Sequence, residues 1–103
     1  MSAFGMLGKE TSTDKGVAEF LETDGAVLLD VRTPEEYQQG HIPQSINIPL
    51  DHLNVLSYPA ETPLYVYCHS GQRAGQACTW LKQQGYLHVT DIGGIVSFHG
   101  SLE

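Results

Sequence analysis

Apolar residues along this chain fall into short blocks of two kinds, one helical in spacing and one continuous. Val17, Phe20 and Leu21 recur at i, i+3 and i+4 behind Ser12 and Thr13, either of which can cap a helix. Ala26-Val27-Leu28-Leu29 is an unbroken apolar run that stops at Asp30, the pattern of a strand buried on both faces of a parallel sheet. Thr33-Pro34-Glu35-Glu36 places a cap, a proline at the first helical position and a carboxylate at the third. That predicts a short helix through Gln39, stopped by Gly40. Residues 46–48 read as a short strand ended by Pro49, and residues 51–56 as a weak helix before the Tyr58-Pro59 and Thr62-Pro63 breaks. Leu64-Tyr65-Val66-Tyr67 is the next strand and runs straight into Cys68. Ala74, Ala77, Cys78 and Leu81 then mark a helix that Gly85 can close. His88 to Ile92 reads as a last strand, after which Gly93-Gly94 turns the chain toward a terminal element carrying Val96 and Phe98.

Strands alternating with helices in this way predict an α/β fold, a small parallel β-sheet flanked by helices on both faces. Ligands of such sheets collect outside the carboxyl ends of the strands, where Asp30, Arg32 and Cys68 all fall. The chain divides into an N-terminal segment, residues 1–12, and one domain over residues 13–101. Leu102-Glu103 lies past that domain and could equally be a cloning remnant.

At 103 residues there is room for one core and no more. The longest apolar run is far too short to span a bilayer, so no membrane association is expected. A net charge of -7 with five Lys and Arg is the reverse of what phosphate-backbone binding requires, which argues against nucleic acid. It also repels small anions at long range, so an anionic substrate must be held by local donors. Two cysteines are too few for a disulfide framework, and no Cys/His group has metal-ligand spacing. A free, reactive thiol is expected, with no metal and no cofactor. Met1 does not open a charged-then-apolar leader. A cytoplasmic location is therefore expected, or a periplasmic one if a leader has been removed.

The segment from Cys68 to Arg73 connects a strand to a helix, so its backbone N–H groups share a space with the free N–H groups of the helix start. Gly71 allows the backbone to curl with φ above zero, letting successive amides converge as an anion-binding nest. Helix N-termini and neighbouring cations stabilise thiolates, which makes Cys68 the candidate nucleophile. Arg73 can orient the oxyanion end of a substrate through its planar fork, or be a solvated helix-start residue. Asp30 and Arg32 can serve the site or simply pair with each other. Cys78 shares the helical phase of Ala74, Ala77 and Leu81 and reads as core.

In four segments the chain resembles the rhodanese-like sulfurtransferases: L-L-D-V-R-T-P-E-E-Y from Leu28, G-H-I-P-Q-S-I-N-I-P from Gly40, V-Y-C-H-S-G-Q-R-A from Val66, and G-G-I-V-S-F from Gly93. The resemblance implies thiosulfate sulfurtransferase activity. A sulfane sulfur would pass from thiosulfate, or a persulfide donor, onto Cys68 as a persulfide. It would then go to cyanide, a thiol or a sulfur-accepting protein. It also implies that His69, Ser70, Gly71, Gln72 and Arg73 form the substrate-binding loop and that Asp30 and Arg32 order the floor of the site. Ser45 stands where a small apolar residue is commoner and Phe98 where tryptophan is frequent, departures expected to affect packing.

Cysteine phosphatases and arsenate reductases of this fold place five residues between cysteine and arginine. Here there are four, His69, Ser70, Gly71 and Gln72, which favours a sulfur atom over a tetrahedral oxyanion. A non-catalytic binding module would lack the cysteine. A protein-to-protein sulfur relay would keep it and use the same persulfide.

Overall fold

The computed structural model describes residues 12–103; the N-terminal segment, apart from Ser12, lies outside them. Four parallel strands form one sheet: β1 (Val27–Asp30), β2 (Ile46–Asn47), β3 (Leu64–Cys68) and β4 (Val89–Gly94), in the order β2-β1-β3-β4. Three α-helices accompany them, α1 (Thr13–Leu21), α2 (Pro34–Gln39) and α3 (Gln72–Gln83). Two 3-10 segments, Leu50–Val55 and Ile95–Ser97, complete the elements of the described residues.

The continuous apolar runs are central strands because both faces of the sheet are covered. Leu28, Tyr65, Tyr67 and Ile92 pack with Val17 and Phe20 of α1 on one face. Leu29, Val66, Cys68 and Val89 pack with Ala74, Ala77, Cys78 and Leu81 of α3 on the other. Alternation along a strand sends neighbours to opposite faces. Hence Tyr67 goes to the α1 side and Cys68 to the α3 side, beneath the start of that helix.

Helix α2 forms as its sequence predicts. Thr33 Oγ1 accepts from the Glu36 N–H at 3.2 Å, and Glu36 Oε1 accepts from the Thr33 N–H at 2.9 Å. This reciprocal box satisfies two otherwise unpaired donors. Helix α1 departs from expectation in its facing. Leu21, expected on the packing side, is 58% exposed, and the buried residues are Thr13, Gly16, Val17 and Phe20. A buried threonine and a glycine shift the stripe away from Leu21. Hydropathy cannot see that shift, because Thr13 is buried through its hydroxyl, which donates to the Ile92 carbonyl at 2.6 Å and also lies 3.1 Å from the Gly94 carbonyl.

The sheet differs from expectation at three edges. Asp30 belongs to β1 itself, in register with Asn47 and Tyr67. β2 stops at Asn47, whose Nδ2 donates to the carbonyls of Asp30 and Arg32, both at 3.0 Å. The segment expected as a weak helix is a pair of 3-10 turns kinked at His52, with φ −122 and ψ 15. Gly93-Gly94, expected as a turn out of the sheet, extends β4 and places Gly94 opposite Cys68.

Leu102-Glu103 is not a loose tail. Glu103 and His41 exchange both backbone hydrogen bonds, each at 2.9 Å.

Candidate active site

The chemistry collects where β3 ends and α3 begins. Gly71, the residue before α3, has φ +108, the left-handed region that glycine tolerates and other residues avoid. The curl brings its N–H to 3.0 Å from Cys68 Sγ, and the Ala74 N–H in the first turn of α3 lies 3.3 Å from the same sulfur. Two backbone donors therefore converge on one thiol at a helix N-terminus, where N–H groups lack intrahelical partners. Ala74 carried no functional signal in the sequence, since its apolar periodicity marked it as core and it is core as well.

Cys68 is 1% exposed. His69, Ser70 and Gln72 are exposed around it, and Gly71 and Arg73 are half-buried. Cys78 lies in the core, where burial pushes its thiol up to about 12. That environment suppresses thiolate formation.

The loop is backed by β4. The Val96 N–H donates to the His69 carbonyl at 3.2 Å. A Cβ at Gly94 would run into that same carbonyl and lie 2.6 Å from Ser70 Cα. Gly94 is thus a close-approach glycine behind the loop, a role its pairing with Gly93 in sequence disguised as a turn. Gly94→Ala is expected to cost about 1–3 kcal/mol, because backbone and not a flexible side chain must yield. Urea unfolding and the amide resonances of His69 to Gly71 report it. An alanine variant with unchanged stability and resonances would show that the contact is not tight.

Asp30 and Arg32 do pair with each other, in the interior. Arg32 Nη2 lies 2.7 Å and Nε 3.0 Å from Asp30 Oδ2, with the Arg32 backbone N–H 2.9 Å from Oδ1. Their side chains are 5% and 0% exposed. Arg32 Nη2 also donates to the Gly40 carbonyl at 2.8 Å, and its guanidinium stands 5.8 Å from the centre of the Tyr67 ring. Burial opposes the Arg32 charge, but the Asp30 carboxylate outweighs it and raises the pKa. Tyr67 is raised by burial, and its hydroxyl lies 3.0 Å from Ser45 Oγ and accepts from the Ile42 N–H at 3.1 Å. Ser45, noted above as a departure, therefore gives a buried phenol a polar partner.

Arg73 is half-buried and its fork is occupied. Its Nη1 and Nη2 donate to the two carboxylate oxygens of Glu36 at 2.8 and 3.0 Å. Nothing in the sequence joins Glu36 to the loop, 37 residues away, beyond its service in the α2 cap. The Arg73 hydrogen bonds, with help from Thr33, hold the Glu36 carboxyl down to about 2. Arg73 also lines a cleft of about 290 Å³, together with Val31, Arg32, Pro49, Leu50 and Asp51.

The arrangement aims two fixed N–H dipoles at one sulfur, where they can stabilise negative charge that develops on it. Comparison with known proteins gives the family. The pattern of the rhodanese-like domain matches residues 13–101. A sulfurtransferase of Allochromatium vinosum is 40% identical over 85 residues, 77% of this chain and 78% of that protein. The thiosulfate sulfurtransferase PspE of Escherichia coli is 41% identical over 71 residues, 65% of this chain and 68% of that one. The crystal structure of SSP1007 from Staphylococcus saprophyticus superposes with a TM-score of 0.79 at 26% identity, covering 93% of this chain and 99% of that one. With a parallel sheet bearing its cysteine at the end of a central strand, and a family pattern that spans all but its ends, this chain belongs to the rhodanese-like domain family, among sulfurtransferase relatives.

Proposed function

We propose that the protein is a sulfurtransferase that carries a sulfane sulfur on Cys68 as a persulfide, from thiosulfate or an organic persulfide to cyanide, a thiol or a sulfur-accepting protein. The observation that carries this reading is the pair of N–H groups, from Gly71 and Ala74, aimed at Cys68 Sγ. Such donors stay beside the sulfur as charge moves along the new bond. With thiosulfate, the Cys68 thiolate attacks the outer sulfur. A Cys68–S bond forms, the sulfur–sulfur bond of thiosulfate breaks, and its electron pair leaves on sulfite. The acceptor's thiolate or cyanide then attacks the outer sulfur of Cys68 and returns the thiolate.

His69, Ser70, Gly71, Gln72 and Arg73 supply the loop in this reading, and the Asp30–Arg32 pair holds its floor. With four residues between Cys68 and Arg73, the loop is sized for a sulfur atom, which favours sulfur transfer over phosphate or arsenate chemistry. No helix among the described residues is long and apolar enough to cross a membrane, which is compatible with a sulfur donor and acceptor met in water.

A covalent intermediate dictates the kinetics. Sulfite must leave before the acceptor attacks, so initial rates against either substrate are expected to give parallel lines, with intact mass rising by one sulfur on exposure to thiosulfate or a persulfide. Hydrolysis of an aryl phosphate outpacing sulfur transfer would favour the phosphatase chemistry instead.

A further inference from the structure

Each guanidinium near the loop already has a carboxylate. Arg32 is closed on Asp30 in the interior, and Arg73 turns both Nη atoms to Glu36. The other fixed cations among the described residues are Lys15, in α1 on the opposite face of the sheet, and Lys82, at the far end of α3. Nine residues of α-helix separate Lys82 from Arg73, about 13 Å. The chain as a whole carries -7, and Asp51 adds a carboxylate at the cleft. A donor that arrives as a dianion meets no uncompensated fixed positive charge here.

We propose, resting on the sulfurtransfer reading above, that Glu36 is a specificity-determining residue. By neutralising Arg73 it turns the site away from dianionic thiosulfate and toward organic persulfides of low charge.

The cleft supports the same selection. Beside Arg73, Val31, Pro49 and Leu50 line the same cleft, so a donor group that lies against Arg73 meets apolar side chains, which leave a sulfonate poorly solvated. The backbone donors at Sγ serve either substrate, because the charge they stabilise lies on the transferred sulfur and on Cys68. Only the far end of the donor differs. For a persulfide, the Cys68 thiolate attacks the terminal sulfur of R–S–SH and forms Cys68–S–SH. The original sulfur–sulfur bond breaks, and its electron pair departs on R–S⁻.

Glu36→Gln isolates the charge. Glutamine also completes a capping box with Thr33, and its amide oxygen can still accept from Arg73. Single-turnover sulfur loading of Cys68 is measured with thiosulfate and with cysteine persulfide, for the unmodified protein and for Glu36→Gln. The unmodified protein is expected to load faster from cysteine persulfide, and the thiosulfate-to-persulfide ratio of kcat/KM is expected to rise about fivefold in the variant, the worth of one unit charge acting on a dianion across about 8 Å of water.

Added salt supplies a check that needs no variant. Screening should speed thiosulfate loading of the unmodified protein, since the field it meets is repulsive. A ratio that stays level or falls in Glu36→Gln would overturn the proposal and show that Glu36 positions Arg73 for the donor. Thiosulfate loading that slows with salt would overturn it independently. Sulfur gained from neither donor would instead overturn the sulfurtransfer reading itself.

Discussion

Cys68→Ser is expected to reduce sulfur loading from thiosulfate to background, a fall of at least about a thousandfold, the scale on which removal of a covalent nucleophile acts. A serine oxygen in the same place can accept the Gly71 and Ala74 N–H groups, so loop geometry should survive while the chemistry is lost. Cys78→Ala is the necessary comparison. Its thiol is buried among Ala74, Ala77 and Leu81 and pushed up to about 12. Most of the loading should persist in that variant, with a modest loss of stability from the small cavity left behind. Intact mass before and after thiosulfate reads both. Comparable losses in the two variants would mean that sulfur visits Cys78 as well.

Asp30→Ala should give the largest change in stability. It removes the carboxylate from a buried pair and leaves Arg32 with a charge that has neither water nor a counter-ion, at a cost of about 3–5 kcal/mol. For a domain of this size each kcal/mol lowers Tm by about 4–8 °C. Replacing both members, Asp30→Ala with Arg32→Met, should cost less than the two single changes added, because the double variant strands no charge. Urea unfolding of all three tests this. Additive losses would show that Asp30 and Arg32 stabilise the fold through separate contacts, with the Gly40 carbonyl and the Tyr67 ring as the chief partners of Arg32.

Cys68→Ser and Asp30→Ala act on residues that the sequence marked for different reasons and with different clarity. Cys68 was legible because local signals agree: an apolar strand stops, a glycine follows, and a helical period begins, all within a few residues. The positive φ at Gly71 and the start of α3 match the expected curl and helix start. Asp30 was legible as a polar residue ending an apolar run, yet whether it served the site or paired with Arg32 could not be decided until burial and distance were known. The phase of α1 was misread at Leu21 because Thr13, a polar residue, is held inside by carbonyls of β4, about eighty positions further along.

By itself the sequence determined the order of the strands and α-helices, the double-sided burial of the central strands, the α2 cap and the place of the thiol. Each of these rests on neighbours within one or two turns, where spacing and capping chemistry are encoded directly. Tertiary structure alone decided which polar residues meet. Glu36 comes to Arg73, Ser45 to Tyr67 and Gly94 to the back of the loop because the sheet sets β1 beside β3 and β3 beside β4. Strand pairing is a long-range property that no local period carries, and it converts an ordinary capping glutamate into the partner of the loop's arginine.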